Sequence, residues 1–178
     1  SLFGFDILPS AASLAGATVE LVDMEEREFK LKHTLNKIRT NYDYILIDSP
    51  PSLGLLTING LAAAEQVIIP VQCEYYALEG LTQLFKTIEM VRNSLNPQLQ
   101  ILGVLLTMYD KRNKLANEIV TEVKKNFPGH VFETIIPRSV SLAEAPGFGK
   151  TILQFDDRSK GAIAYKELAE EIIKLEDA

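Results

Sequence analysis

The chain of 178 residues has one cysteine, no tryptophan and no excess of basic side chains. Its single cysteine, Cys73, excludes an internal disulfide, fits a reducing cytoplasm and follows an apolar run, which predicts a packed thiol. No apolar run reaches transmembrane length, and no stretch has the layout of a signal peptide. The net charge of −6 argues against a generally basic nucleic-acid binder. The length and composition predict one globular domain over residues 1–178.

A phosphate-binding loop is also missing. The stretch Gly149-Lys150-Thr151 supplies the end of such a loop, but the glycine required five residues earlier is replaced by Glu144. The stretch also lies late in the chain, whereas the loop should open the fold. We therefore predict an ordinary turn there. Because the chain begins without methionine, we expect it to be a piece of a longer protein.

One half of a nucleotide site is nevertheless present. The apolar run 44–47 is typical of a buried parallel strand, and it places Asp48 at its C-terminal end, where Pro50 and Pro51 stop the strand. Ligands of open α/β sheets bind outside the carboxyl ends of the strands. A lone carboxylate there suits Mg²⁺, which keeps most of its waters and needs one or two carboxylates.

Strands and helices alternate along the chain, which predicts a parallel sheet with helices on both faces. The predicted strands are 5–8, 44–47, 67–71, 101–107 and 132–136, and the predicted helices are 25–39, 55–64, 79–95, 114–127 and 161–175. Pro70 predicts that its strand ends early or bulges. We therefore expect a three-layer α/β fold with a mostly parallel, twisted sheet.

Positive charge is concentrated in one region. Residues 101–150 carry 7 basic and 5 acidic side chains, whereas the rest of the chain is acidic. Lys111, Arg112 and Lys114 follow a predicted strand and open a helix. Such residues can neutralise phosphates without reading sequence, although a solvated helical face is the usual explanation. Both interpretations stay open on these residues alone.

Several segments, taken in order, resemble one family. They are Leu8-Pro9-Ser10, Leu14 to Ala17, Asp48 to Leu53, Glu74 to Gly80, Thr107 to Asp110, Ile136-Pro137-Arg138 and Leu142 to Pro146. The chain is similar over essentially its whole length to the ParA/Soj partition ATPases, within the deviant P-loop ATPases that include MinD. The resemblance implies a P-loop NTPase-like fold, here a single partial ATPase domain without its N-terminal strand, phosphate loop and helix.

The resemblance also implies cofactors and sites. ATP and Mg²⁺ would be bound, with Asp48 holding the metal through water. Thr107, Met108, Pro137 and Ser139 would line the adenine pocket. The removed phosphate loop implies that this portion alone holds no catalytic residue and hydrolyses no ATP.

The partners implied by the resemblance are a second copy of the chain in an ATP-dependent homodimer, a ParB-like centromere-binding protein and non-specific DNA. Lys111, Arg112, Lys114 and Arg138 would contact the DNA. A cytoplasmic, nucleoid-associated protein without membrane contact is expected, because the C-terminal helix is acidic where a membrane-surface helix would be basic.

Two departures and three alternatives accompany this interpretation. Ser139 stands where many relatives have asparagine, and Ser141 stands where they have a basic residue. These differences weaken one base contact and part of the DNA surface. The alternatives are an inactive truncated paralogue that acts as an interaction module, a relative that positions another cargo, and a MinD-like relative. Pro50-Pro51 argues against the last of these.

Overall fold

The computed structural model describes residues 4–10, 14–50, 54–74 and 77–176. Its strands are β1 (Gln66–Gln72) and β2 (Gln100–Thr107), and its helices are α1 (Leu14–Glu20), α2 (Lys30–Leu35), α3 (Leu55–Ala63), α4 (Ala77–Ser94), α5 (Lys114–Asn126), α6 (Val140–Glu144), α7 (Ile152–Phe155) and α8 (Lys160–Glu176). Short 3₁₀ helices cover Arg39–Asn41 and Ala145–Phe148. Among the described helices, none has the length and hydropathy needed to cross a bilayer. The chain divides into two compact units, Ser1–Glu65 with Thr87–Leu99, and Gln66–Lys86 with Gln100–Ala178.

The sheet lies in the second unit. Strands β1 and β2 are parallel, and the pairing runs from Gln66↔Gln100 to Gln72↔Thr107. The register shifts between Val67 and Ile68, where Leu102 of β2 is the extra residue, so the early end or bulge predicted at Pro70 is wrong. Strand β1 continues through the proline at position 70, which is compatible with its place at the edge of the described sheet.

The core of the second unit covers this sheet. One cluster joins Leu105 of β2 with Phe132, Ile136, and Ala164 and Leu168 of α8. Side chains alternate between the two faces of a strand, so the neighbours of Leu105 point the other way. Those neighbours, Val104 and Leu106, are also fully buried. Both faces are therefore covered, as the predicted α/β fold requires.

The predicted strand at 132–136 is wrong as a regular element. Residues 131–137 run parallel to β2 and the turn after it, but their backbone forms isolated bridges, Val104↔Val131 and Tyr109↔Pro137, in place of a regular ladder. The backbone N–H of Phe132 donates to the Val104 carbonyl at 3.0 Å, and the N–H of Ile136 donates to the Leu106 carbonyl at 2.9 Å. The segment is thus anchored at its two ends, and the residues between them leave the ladder.

The predicted strands at 5–8 and 44–47 are also wrong in the described structure. Neither segment forms a strand among the described residues, and a strand exists only where a neighbour pairs with its backbone. Most of their side chains are exposed, to 74% at Ile7 and 91% at Leu46. The apolar pattern of the two segments therefore does not produce a buried strand in the described structure.

The helix predicted at 25–39 is shorter, and one buried side chain explains where it is interrupted. A continuous helix would join the N–H of Leu31 to the carbonyl of Arg27. The side chain of Asn59, on α3, takes both positions: its oxygen accepts from Leu31 N at 3.1 Å, and its nitrogen donates to Arg27 O at 2.8 Å. The regular helix α2 accordingly begins at Lys30.

Candidate nucleotide and DNA-binding site

Three backbone segments of the second unit end side by side. The N–H of Cys73, just after β1, donates to the carbonyl of Thr107 at 2.9 Å. On the other side of β2, the N–H of Ile136 donates to the carbonyl of Leu106 at 2.9 Å. Because all three segments run in the same direction, their carboxyl ends share the edge at which parallel sheets bind ligands.

The turn after β2 extends this edge. Met108 has a φ of 54°, in the left-handed region that side chains rarely adopt, and it is 39% exposed. Beyond it, the N–H of Tyr109 donates to Ile136 O at 3.2 Å, and the N–H of Arg138 donates to Tyr109 O at 2.9 Å. The structure therefore brings the predicted pair Thr107 and Met108 next to Pro137.

The last predicted base contact, Ser139, lies at the same edge. It is half-buried and stands immediately before α6, without a capping hydrogen bond from its side chain. Helix α6 is held against α8 because a glycine, Gly161, allows the side chain of Leu142 to approach. A Cβ at that glycine would lie 2.5 Å from Leu142 Cγ. The position of Ser139 is thus fixed by packing.

The predicted DNA-contacting residues Lys111, Arg112 and Lys114 are all exposed where α5 begins. Asn113 caps that helix, because its side-chain oxygen accepts from Leu115 N at 3.0 Å. Two lysines continue the positive charge into the last turn of the same helix. The three predicted residues therefore share one short turn and its helix N-terminus.

An acidic residue within this basic turn was missed by the sequence analysis. The Asp110 carboxylate accepts hydrogen bonds from Arg112, and the charge of Arg138 also acts on it. The structure thus places Arg138 beside the same turn as Arg112. The available sequence feature was an acid two residues before a basic side chain in a short turn, a spacing that permits a local pair.

Asp48 belongs to the first unit. It is exposed, and helix α3 packs against the segment that carries it: the hydroxyl of Thr57 donates to the Pro50 carbonyl at 3.5 Å. A Cβ on Gly60 would lie 3.0 Å from Ser49 Oγ, so that glycine permits the close approach. The following residue, Pro51, lies outside the described residues.

Two other expectations are confirmed. Gly149 has a left-handed φ of 63° and closes a 3₁₀ turn, and Thr151 caps α7 through a capping box with Gln154. The Gly-Lys-Thr stretch is therefore an ordinary turn. Cys73 is 2% exposed, and burial raises the pKa of its thiol. The packed-thiol prediction holds.

Comparison with known proteins decides the family. The model of a family described as an AAA domain matches residues 2–101. The sporulation initiation inhibitor protein Soj of Bacillus subtilis is 54% identical over 94% of this chain, and the chromosome partitioning protein ParA of Myxococcus xanthus is 52% identical over 94%. The chain belongs to the ParA/Soj family. It spans 66% of the length of Soj and 59% of that ParA protein.

A solved structure agrees with the ParA/Soj fold. The structure described as cobyrinic acid a,c-diamide synthase from Mycobacterium smegmatis with bound ATP analog and magnesium is 37% identical. It superposes with a TM-score of 0.81 over 96% of this chain and 63% of its own. The fold is therefore that of P-loop NTPases related to ParA and MinD. In this ParA/Soj chain, the segments predicted to contact the base meet in one unit, and Asp48 lies in the other.

Proposed function

We propose that this chain is the C-terminal part of a chromosome or plasmid partition protein that binds and hydrolyses Mg²⁺-ATP. The observation that carries the proposal is the meeting of Thr107 and Met108 with Pro137 at the ligand edge of the sheet. This edge occurs in a chain that is 54% identical to Soj. A diamide synthase name accompanies a solved relative at 37% identity, and it carries less weight than the closer partition proteins.

The nucleotide base would lie between the turn after β2 and the turn at Pro137. Met108 offers a half-exposed apolar surface, and the half-buried Ser139 offers a hydroxyl beside it. Pockets of this kind bind flat ligands by apolar contact and fix them with a few polar groups. The shorter serine in place of the asparagine common in relatives reduces the reach of that polar group.

The metal would be held by Asp48 through water. No group of three or more potential ligand side chains occurs among the described residues, so a protein-only metal cage is not formed there. Mg²⁺ does not require one, since it retains waters and is completed by nucleotide phosphates. The exposed Asp48 carboxylate fits that mode. When bound, Mg²⁺ neutralises charge on the phosphates during their transfer.

DNA would bind at the turn before α5 without sequence preference. Lys111, Arg112 and Lys114 are exposed there, and Arg138 joins them through its position beside Asp110. Cationic side chains bind phosphates electrostatically and release counterions. The surface does not extend to Ser141, because the hydroxyl of that residue lies 3.4 Å from the Asp156 carboxylate.

The intact protein would form an ATP-dependent homodimer in the cytoplasm, associated with the nucleoid, and a ParB-like partner would stimulate hydrolysis. The relative named as a chromosome partitioning protein, at 52% identity, supports the role in partition.

The DNA surface can be tested by salt-dependent binding to a labelled duplex. Each of Lys111→Gln, Arg112→Gln and Lys114→Gln should weaken binding and reduce the slope of log K against log salt by up to about 0.9. Lys174→Gln, on the acidic helix α8, is the control and should change neither. Equal binding by all four variants would contradict the proposed surface. Failure of the chain extended by its upstream coding sequence to bind Mg²⁺-ATP would instead support an inactive interaction module.

A further inference from the structure

Asp110 holds Arg112 through three hydrogen bonds. The Arg112 side chain donates from Nε to Asp110 Oδ1 at 3.0 Å and from Nη2 to Oδ2 at 2.8 Å. The backbone N–H of Arg112 also donates to Oδ1, at 3.0 Å. This side-on, two-pronged contact is the geometry with which arginine binds either a carboxylate or a phosphate. The carboxylate therefore occupies a guanidinium edge suited to a phosphate.

The carboxylate keeps its charge over the whole working range of pH. The hydrogen bonds from Arg112 lower the pKa of Asp110 to about 2, and the nearby charge of Arg138 acts in the same direction. A fixed negative charge thus lies beside Arg112, within the proposed DNA surface. A phosphate that takes the side edge of Arg112 must compete with this charge.

The pair is poorly suited to a purely stabilising role. The Arg112 side chain is 84% exposed, whereas the Asp110 side chain is 30% exposed. Ion pairs so open to water contribute little to folding. The turn also has other support, because the N–H of Asn113 donates to the Asp110 carbonyl at 2.9 Å and Asn113 caps α5. The side-chain pair therefore has more effect on what Arg112 can bind than on whether the turn forms.

We propose that Asp110 is an internal competitor for DNA phosphate, which keeps the contact made by Arg112 weak and readily reversed. The inference rests on the proposed DNA-binding function and describes its regulation. A phosphate takes the side edge of Arg112 only after displacing the carboxylate. The phosphate releases a condensed cation when Arg112 neutralises it, but the freed Asp110 carboxylate attracts a cation in return, so Arg112 contributes less to the salt dependence than an unpaired arginine would.

The test is a double-mutant cycle on DNA binding, measured with a labelled duplex over a range of salt concentrations. It uses the longest version of the chain that the reading frame encodes, with Mg²⁺-ATP. Asp110→Asn removes the charge and keeps the size of the side chain. We expect it to tighten binding about three- to ten-fold near 100 mM salt and to steepen the salt slope by up to about 0.9. In the Arg112→Gln background the same change should have no effect.

Two further variants separate the effect of the Asp110 charge from other causes. Glu167→Gln, on α8, changes the net charge equally and should leave DNA affinity unaltered. Asp110→Ser also removes the charge with a different side chain, and it should tighten binding in the same way as Asp110→Asn. Agreement between the two Asp110 variants shows that the effect comes from the charge. A melting curve on each variant confirms that the fold is retained.

The contrary outcomes are distinct. If the unmodified protein binds DNA and Arg112→Gln weakens it, but both Asp110 variants bind equally or less tightly, Asp110 positions Arg112 and the competitor inference is wrong. If Asp110→Asn tightens binding equally in the Arg112→Gln background, the effect is general electrostatics and the inference is again wrong. If the protein binds no DNA, the proposed function itself fails, and the inference fails with it.

Discussion

The side chain of Asn59 accepts a hydrogen bond from the backbone N–H of Leu31 at 3.1 Å, and so replaces a bond that a continuous helix would make internally. Its amide nitrogen completes the exchange by donating to Arg27 O at 2.8 Å and to Leu55 O at 3.0 Å. Asn59 is 4% exposed. One buried carboxamide therefore pairs the backbone at the start of α2 and ties that helix to α3.

Asn59→Ala should destabilise the fold by about 1–3 kcal/mol, because it leaves a donor and an acceptor of the backbone without their partner. Urea unfolding followed by circular dichroism measures the change. Asn93→Ala replaces an exposed asparagine on α4 and should leave stability unchanged or slightly raised. Equal stability of Asn59→Ala and the unmodified chain would show that Leu31 bonds directly to Arg27 in the variant.

The carboxylate of Glu171, on α8, makes a contact that should be sensitive to acid. It accepts from the backbone N–H groups of Glu133 at 2.7 Å and Thr134 at 3.0 Å, and it lies 3.7 Å from His130 Nε2. Burial raises the pKa of Glu171, but the hydrogen bonds from Thr134 and Glu133 outweigh burial, so the pKa lies below its ordinary value. A lowered folded-state pKa means stability that is present above the unfolded-state pKa and lost as pH falls through the folded value.

Glu171→Gln should therefore be less stable than the unmodified chain at pH 7, by about 1 kcal/mol, and the difference should shrink as pH falls below about 4.5. Unfolding free energies at pH 7 and pH 4 provide the measurement. Glu170→Gln, at the exposed neighbouring residue, is the control. Its stability relative to the unmodified chain should not change between pH 7 and pH 4. A stability difference independent of pH would exclude the carboxylate contact.

Met108 allows stability and nucleotide affinity to be separated. Met108→Gly relieves the left-handed φ of 54° but adds freedom to the unfolded chain, and the two effects oppose each other at about 1 kcal/mol each. The melting temperature should therefore change little. In the version of the chain extended by its upstream coding sequence, Mg²⁺-ATP affinity should fall in Met108→Gly, because the proposed base pocket loses a side chain, and Met108→Leu should restore it. Unchanged affinity in Met108→Gly would place the base elsewhere.

Much of the fold could be predicted because the apolar runs and the residues that begin and end helices agree with it. The strong run at 101–107 became β2, and Asn113 and Pro128 bracket α5 close to its predicted ends. Segments 5–8 and 44–47 are not strands among the described residues, because an apolar run does not by itself determine the backbone pairing that a strand needs. The helix predicted at 25–39 is shorter because the side chain of Asn59, far along the chain, bonds to backbone groups that a continuous helix would pair with each other.

The candidate site could likewise be predicted only in part. The family resemblance implied Thr107, Met108 and Pro137 as base contacts, and the structure brings these residues together at the carboxyl ends of parallel segments. The pairing of Asp110 with Arg112 could not be predicted, since the spacing of the two residues permits a contact but only the turn geometry makes it. The left-handed conformation at Met108 likewise has no signature in a residue type that usually avoids it.

The most direct test of the central claim is calorimetric titration of Mg²⁺-ATP into this 178-residue chain and into a version extended by its upstream coding sequence. We predict binding by the extended version, dependence of that binding on Mg²⁺, a marked loss in Asp48→Asn, and no binding by the 178-residue chain. Absence of binding by the extended version would contradict the assignment as part of a partition ATPase.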